Sequence, residues 1–422
     1  MSSRILTTFI NRQTGTVYGQ SGLSDDPGGV LSDRTRTALQ ANSSGKTPRL
    51  SVPPPTSLVY NTDINTFTDV FSLEIDLAPD DLFDIQSHDF VEFYFELDNP
   101  APGYQKRHQI GVGFLEKFHR DSSPTRVKIM ANGRDLFGEN MFAPFVVPVR
   151  QNLTLKDFLT SKVIKGSYLE AYHSIRGQGR STLVDRGAFG TQMFFRSDLE
   201  QKKGALIQNY AGLAINVVFM NRLGQVEILG RPGTLGSTAP SVSSSPLGIL
   251  KKGSNVDRLI VKQDYTNVFS DFTVFWTSAQ AEQSKNTLAS NTFKNSDPRV
   301  FHISKPGFLT LNTSDLASLG GEVSASQRIS DLAKSNIRKS NQNLNSAVVM
   351  TSDPFFTKDD GTQIPFIQGQ VWRLQSNEPE FKTRAQPTGT DSVDMLLSGI
   401  NYNESLSGQE FQLNFIEGDT LI

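Results

Sequence analysis

Hydrophobic and polar residues alternate with period two over four stretches between residues 58 and 131. In "FSLEIDL", Phe71, Leu73, Ile75 and Leu77 share one face, with Ser72, Glu74 and Asp76 on the other. In "VEFYFEL", Val91, Phe93, Phe95 and Leu97 oppose Glu92, Tyr94 and Glu96. "IGVGFLEKF" sets Ile110, Val112, Phe114, Glu116 and Phe118 against Gly111 and Gly113, and "RVKIM" follows. Strict alternation predicts half-buried antiparallel strands. Their spacing of roughly 15–20 residues suits a small barrel or sandwich.

The period changes after residue 150. "LTLKDFLTSKV" predicts a helix with Thr154 as N-cap, Asp157 three residues on, and Leu155, Phe158, Leu159 and Val163 inward. "RSDLEQKKGALIQNYAG" predicts another, capped by Ser197 with Glu200 three later, burying Leu199, Leu206 and Tyr210 and weakened in its middle by Gly204. "AINVVFMNRLGQVEILG" reads as a hairpin. Beyond a Gly, Pro, Ser and Thr-rich stretch, "DRLIVKQ" and "DFTVFWTS" resume the strand pattern, with Phe272, Val274 and Trp276 on one face. Ala325, Ile329, Leu332, Ala333 and Ile337 then fall at helical spacing. "SAVVMT", "QVWRLQ", "VDMLLSGINYN" and "GQEFQLNFIEG" close the chain as strands, the last burying Phe411, Leu413 and Phe415.

The fold class is therefore α+β, β-rich and multi-domain. Residues 1–57 form an arm or extension with one hairpin, ordered against a partner; 58–149 form a first barrel; 150–230 form a peripheral α+β unit. Residues 231–248 are a linker, and 249–422 form a second β region from non-adjacent segments, with an inserted helix at about 323–340.

Composition narrows the function classes. The 422 residues include 41 basic and 43 acidic side chains, for a net charge of −2, which is not the one-sided basic balance of a nucleic-acid binder. Absence of cysteine removes disulfides, thiolate-held metals and thiol nucleophiles, and fits a reducing cytosol. No run approaches the ~18–20 apolar residues of a bilayer span. The start, "MSSRILTTFINRQTG", lacks the apolar core of a secretory signal. Phe, with 29 copies against nine Tyr and two Trp, matches the β-rich pattern.

Candidate chemistry is sparse. His88, His108, His119, His173 and His302 have no metal-ligand spacing, so no metal or cofactor is expected. "GQGRSTLVDRG" at 177–187 neither follows a clear strand nor opens a clear helix, and reads as a mobile loop, not a phosphate cradle. "DDLFD", "KDD" and "FIEGD" supply acids that a glycosidase could pair, although solvated loops carry such pairs equally well. The stretch "NGRDL" raises an Arg–Asp dyad, Arg134 with Asp135. The simpler reading makes Gly133 a turn glycine, Arg134 a surface residue and Asp135 a helix cap accepting backbone N–H bonds, with Leu136 and Phe137 inward. On that reading Asp135→Ala costs ~1 kcal/mol.

The order of these weak motifs resembles the baseplate hub proteins of contractile-tailed phages. This is the Mu-like P protein and late control protein D group, related to the hub part of type VI spike proteins. The resemblance is carried by Gly133, Arg134, Asp135 and Leu136; by Leu153, Thr154 and Leu155; and by Gly224, Val226 and Ile228. "GSNVDRLIVKQDYTNVFSDFTV", "GQVWRLQ" and "LLSGINYNESLSGQEFQLNF" extend it, while residues 1–57, 230–248 and 280–320 fall outside it. It implies two similar small antiparallel β-barrels per chain in a homotrimer, a ring adapting a sixfold tail tube to a threefold spike and lining the DNA channel. Implied partners are the tail tube protein or tube initiator, the spike and baseplate wedge proteins, with DNA passing unbound. No catalytic residue is implied, and Gly133 to Leu136 become a barrel junction or inter-subunit contact. The implied location is the virion tail baseplate, after synthesis in the host cytoplasm. Alternatives are another injection-machine part, a baseplate-associated glycan hydrolase and a carbohydrate-binding tail module.

Overall fold

The computed structural model describes residues 5–19, 47–48, 52–64, 66–79, 81–141, 151–176, 181–186, 193–195, 202–213, 216–230, 246–277, 288–300, 302–311, 322–341, 344–376, 391–405 and 408–417. The alternating stretches assemble into one 13-stranded sheet. Its first half runs Ser57–Asp63, Val70–Leu77, Val127–Asp135, Arg107–Ser122, Phe90–Glu96, Leu6–Ile10 and Val17–Tyr18, every neighbour antiparallel. Its second half runs Arg258–Gln263, Asn345–Thr351, Gly408–Glu417 and Ser392–Ser405. Val371–Gln375 pairs with the start of the 392–405 strand, and Ile249–Lys251 lies parallel beside it. The 14-residue strand Ser392–Ser405 joins the halves, because its far end pairs with Ser57–Asp63. Among the described residues no pairing closes either half on itself.

The predicted inward faces of 71–77 and 411–415 are buried as expected. Two others are modified by tertiary contact. In Phe90–Glu96 the polar-face residues Glu92 and Tyr94 are buried as well, because a helix covers that side. In Arg107–Ser122 the single face predicted for Ile110, Val112, Phe114, Glu116 and Phe118 is broken. The pairing shifts between Phe93 and Tyr94, which skips Ile110, and again between Leu115 and Lys117, which skips Glu116. An extra residue in one strand reverses the faces beyond it. Ile110 and Phe118 accordingly pack in the core within the sheet, and Val112 and Phe114 in a second core outside it.

The α+β section begins as predicted. Thr154 accepts a hydrogen bond from Asp157 N at 3.0 Å and donates to Asp157 Oδ2 at 2.7 Å. The helix Leu155–Phe158 continues as a wider turn over Leu159–Ile164, burying Leu155, Phe158, Leu159 and Val163. A second helix, Tyr168–Arg176, follows. Lys203–Leu213 is helical with Leu206 and Tyr210 buried; Gly204 lies in its first turn, not its middle. The expected cap at Ser197 and Glu200 lies outside the described residues. The hairpin Asn216–Met220 with Val226–Gly230 forms as expected. Residues 177–187, read as a loop, instead supply a strand, Leu183–Arg186, parallel to Val226–Gly230.

Two features of the expected domain order change. The first 57 residues are not wholly a separate arm: the predicted hairpin exists, and its strand Leu6–Ile10 is an inner member of the main sheet with all five residues buried. The described residues between 271 and 341 leave the second half-sheet. Asp271–Thr277, Leu288–Lys294 and Pro306–Leu311 form their own three-stranded sheet, covered by the predicted helix, now Glu322–Asn341. Phe272, Val274, Ile329, Leu332 and Ile337 share the second core with Leu155, Phe158 and Leu206. Segments on both sides of the 231–248 stretch thus pack in one core. Most of that stretch, 231–245, lies outside the described residues.

Candidate functional site

Gly133 is not in a turn. It lies within the strand Val127–Asp135, opposite Phe71. A Cβ there would stand 2.0 Å from Phe114 O and 2.3 Å from Phe71 Cζ, and one on Gly113 would stand 2.5 Å from Phe71 Cε1. Both glycines seat the Phe71 ring flat against the sheet. Arg134 turns to the opposite face, where its Nε lies 2.9 Å from Glu116 Oε1. Alternation therefore separates Arg134 from Asp135, and no Arg–Asp dyad forms.

Asp135 is buried and does accept a backbone N–H ahead of the short 3-10 helix Gly138–Met141, from Phe137 N at 3.0 Å. Its carboxylate also spans to the neighbouring strand connection. Oδ1 accepts Thr68 Oγ1–H at 2.9 Å and Oδ2 accepts Asp69 N–H at 2.9 Å, while Asp135 N donates to Asp69 O at 3.1 Å. Asp69, also buried, accepts Asp63 N at 3.2 Å and faces Tyr60 Oη at 3.5 Å. Burial pushes the Asp135 carboxyl up to about 6, against the pull of its donors. Burial first, and the Asp135 charge second, push Asp69 well above the carboxylate range. Leu136 and Phe137 then enter the second core, where the Phe137 and Phe67 rings lie 4.6 Å apart.

A second buried polar cluster ties the helical section to the sheet. Glu92 is fully inaccessible and lies 2.9 Å from Arg176 Nε; Tyr94 and Tyr172 donate to its two oxygens at 2.7 and 2.5 Å. Asp69 and Thr68 were not signalled by any motif. Glu92 was visible as a polar residue in an apolar strand, but nothing in the sequence pointed it at Arg176.

A cleft of about 390 Å³ opens between the sheet, the 216–230 hairpin and the 366–370 loop. Its polar lining includes Thr62, His108, Asn221, Arg222, Glu227 and Tyr402. Asn221 Nδ2 donates to Glu227 Oε2 at 3.1 Å and Arg222 Nη1 to Gln109 O at 3.0 Å, so the cleft's polar groups serve the fold. Among the described residues, Glu227 is the one carboxylate that lines it. Of the other acids singled out, Asp360 accepts Thr362 N at 2.9 Å and Glu417 receives Arg299 Nη1 at 2.7 Å, while Asp80 and Asp419 lie outside the described residues. Among the described residues no three metal-ligating side chains converge. His108 is buried against Phe95, and burial, then the Arg222 charge, hold its imidazole well below the ordinary range. His88 meets Tyr168 Oη at 2.8 Å, and His173 meets Gly224 O at 2.7 Å. No described helix is long and apolar enough to cross a membrane.

No family model matches the chain, and no curated protein matches it. Solved structures do. A tail protein from Neisseria meningitidis MC58 superimposes with a TM-score of 0.56 at 13% identity, over 86% of this chain and 92% of its own. The 43 kDa tail protein of prophage MuSo2 from Shewanella oneidensis gives 0.57 at 11% identity, over 99% and 98%. The resemblance to the tail hub group carried by the sequence therefore holds at the level of fold: over at least 86% of its length, this chain folds like these two tail proteins.

Proposed function

We propose that this protein is a structural component of a phage-type tail, acting as the central hub of the baseplate. The observation that carries the reading is the end-to-end match to the MuSo2 tail protein, 99% of one chain on 98% of the other. The two half-sheets meeting along Ser392–Ser405 and Ser57–Asp63 support two ring-forming repeats per chain, the two barrels of the hub reading. Three chains would then place six repeats around a channel, threefold toward a spike and sixfold toward a tail tube or its initiator. Baseplate wedge proteins would contact the outside, and DNA would pass without specific binding, which the net charge of −2 supports. The cleft's internally engaged polar groups fit a part that works through surfaces, without turnover. Gly133 to Leu136 fit a junction, since Asp135 ends a sheet strand and Leu136 enters the second core.

The test is mass in solution, by light scattering after size exclusion, for the full chain alone and with a candidate spike. A species of three times 46.6 kDa is the expected result. A monomer under both conditions refutes the ring and favours a binding module or an enzyme.

A further inference from the structure

Asp69 and Asp135 stand in an unusual setting for two acids. Both are buried, and among the described residues their hydrogen-bond partners are backbone N–H groups and the Thr68 and Tyr60 hydroxyls, with no basic side chain. The other groups facing them are Asp63 and Tyr60, with Tyr402 stacked on Tyr60 at 6.0 Å. The Arg222 charge acts on Tyr402, and Arg134 is turned away to Glu116. Two ionised carboxylates buried side by side repel each other, so such a pair retains a proton. What they join matters equally. The Asp135 carboxylate ties Thr68 and Asp69, in the connection before strand Val70–Leu77, to Phe137, in the connection after strand Val127–Asp135. Phe67 and Phe137, carried by these two connections, belong to the core shared with the helices.

We propose that the Asp69–Asp135 pair is a proton-held latch between the sheet and the helical core. It is closed while one of the two acids keeps its proton and loosened when that proton leaves. The sign follows from linkage. Both carboxyls are raised by folding, so the latch's stabilisation is complete below the unfolded value of about 4 and is lost as pH rises through the folded values. For Asp135 that folded value is about 6, with Asp69 well above the usual range. His108, held low, acts in the opposite sense as pH falls below about 6.5, so the informative quantity is the difference between wild type and a latch variant.

Two readouts on the full-length chain test this. Infrared spectra at pH 7 are expected to show a protonated carboxyl band that Asp69→Asn removes. Amide exchange of residues 66–71 and 135–138, corrected for its intrinsic pH dependence, is expected to accelerate in wild type as that band disappears, and to stay flat in Asp69→Asn. Should Asp69→Asn fail to fold, Thr68→Val provides the second arm. It deletes one donor to the ionised Asp135, so both transitions move to higher pH. No protonated carboxyl at pH 7, or exchange indifferent to the band, overturns the latch.

Discussion

At the residue scale, Asp135 is more than a helix cap. A lost cap costs about 1 kcal/mol. Here three donors, Thr68 Oγ1, Asp69 N and Phe137 N, converge on one carboxylate in a buried corner. Asp135→Ala strands those donors and is expected to cost about 2–3 kcal/mol, after some relief from removing the charge beside Asp69. Urea unfolding at pH 7 measures it; a loss of only about 1 kcal/mol would return Asp135 to the role of a simple cap. The Asp–Arg neighbourhood in the sequence proved uninformative, because adjacent strand residues face opposite sides. The useful signal was the glycine: Gly133 is needed where Phe71 presses on the sheet, not where the chain turns.

At the element scale, the helix Tyr168–Arg176 shows how tertiary contact overrides pattern. Its buried positions are Leu169, Tyr172 and Arg176, a helical spacing whose last member is charged and therefore not recognised as inward. Arg176 is inward because Glu92, on the supposedly polar face of its strand, is there to receive it. Removing one partner of a buried pair leaves the other charge without compensation, at about 3–5 kcal/mol. Arg176→Ala is expected to destabilise by that amount, and Arg176→Ala with Glu92→Gln by clearly less. Equal losses in the two variants, measured by denaturant unfolding, would mean that the pair contributes through packing alone.

At the scale of the whole molecule, the N-terminal strand is the feature with the largest consequence. Leu6–Ile10 pairs with Phe90–Glu96, and Ile5 N donates to Glu404 Oε2 at 2.7 Å, linking the chain's first described residue to the strand that joins the halves. Deleting residues 1–19 removes Ile5, Phe9, Ile10 and Tyr18 from the cores. At roughly 1.5–3 kcal/mol each, that loss rivals the roughly 5–15 kcal/mol stability of a typical domain. It also bares the edge of Phe90–Glu96. The truncated chain is expected to aggregate on size exclusion; a soluble, cooperatively melting product would show the strand to be an accessory.

The sequence by itself determined the class of elements and most of their inward faces. Period-two alternation marked the long strands, 3.6 periodicity marked Glu322–Asn341, and Thr154 with Asp157 marked a helix start, because these signals are local and repeat along the chain. It also carried the resemblance whose fold the tail proteins share. Only the tertiary structure decided the rest. Two bulges divided Arg107–Ser122 between two cores, since one extra residue reverses every later side chain. The helix of 322–341 and the strands before it joined a core built mainly by earlier residues. Asp69 met Asp135, and Glu92 met Arg176, across 66 and 84 positions of chain. No local pattern encodes such meetings, because the free energy of a buried charge depends on what the fold places beside it.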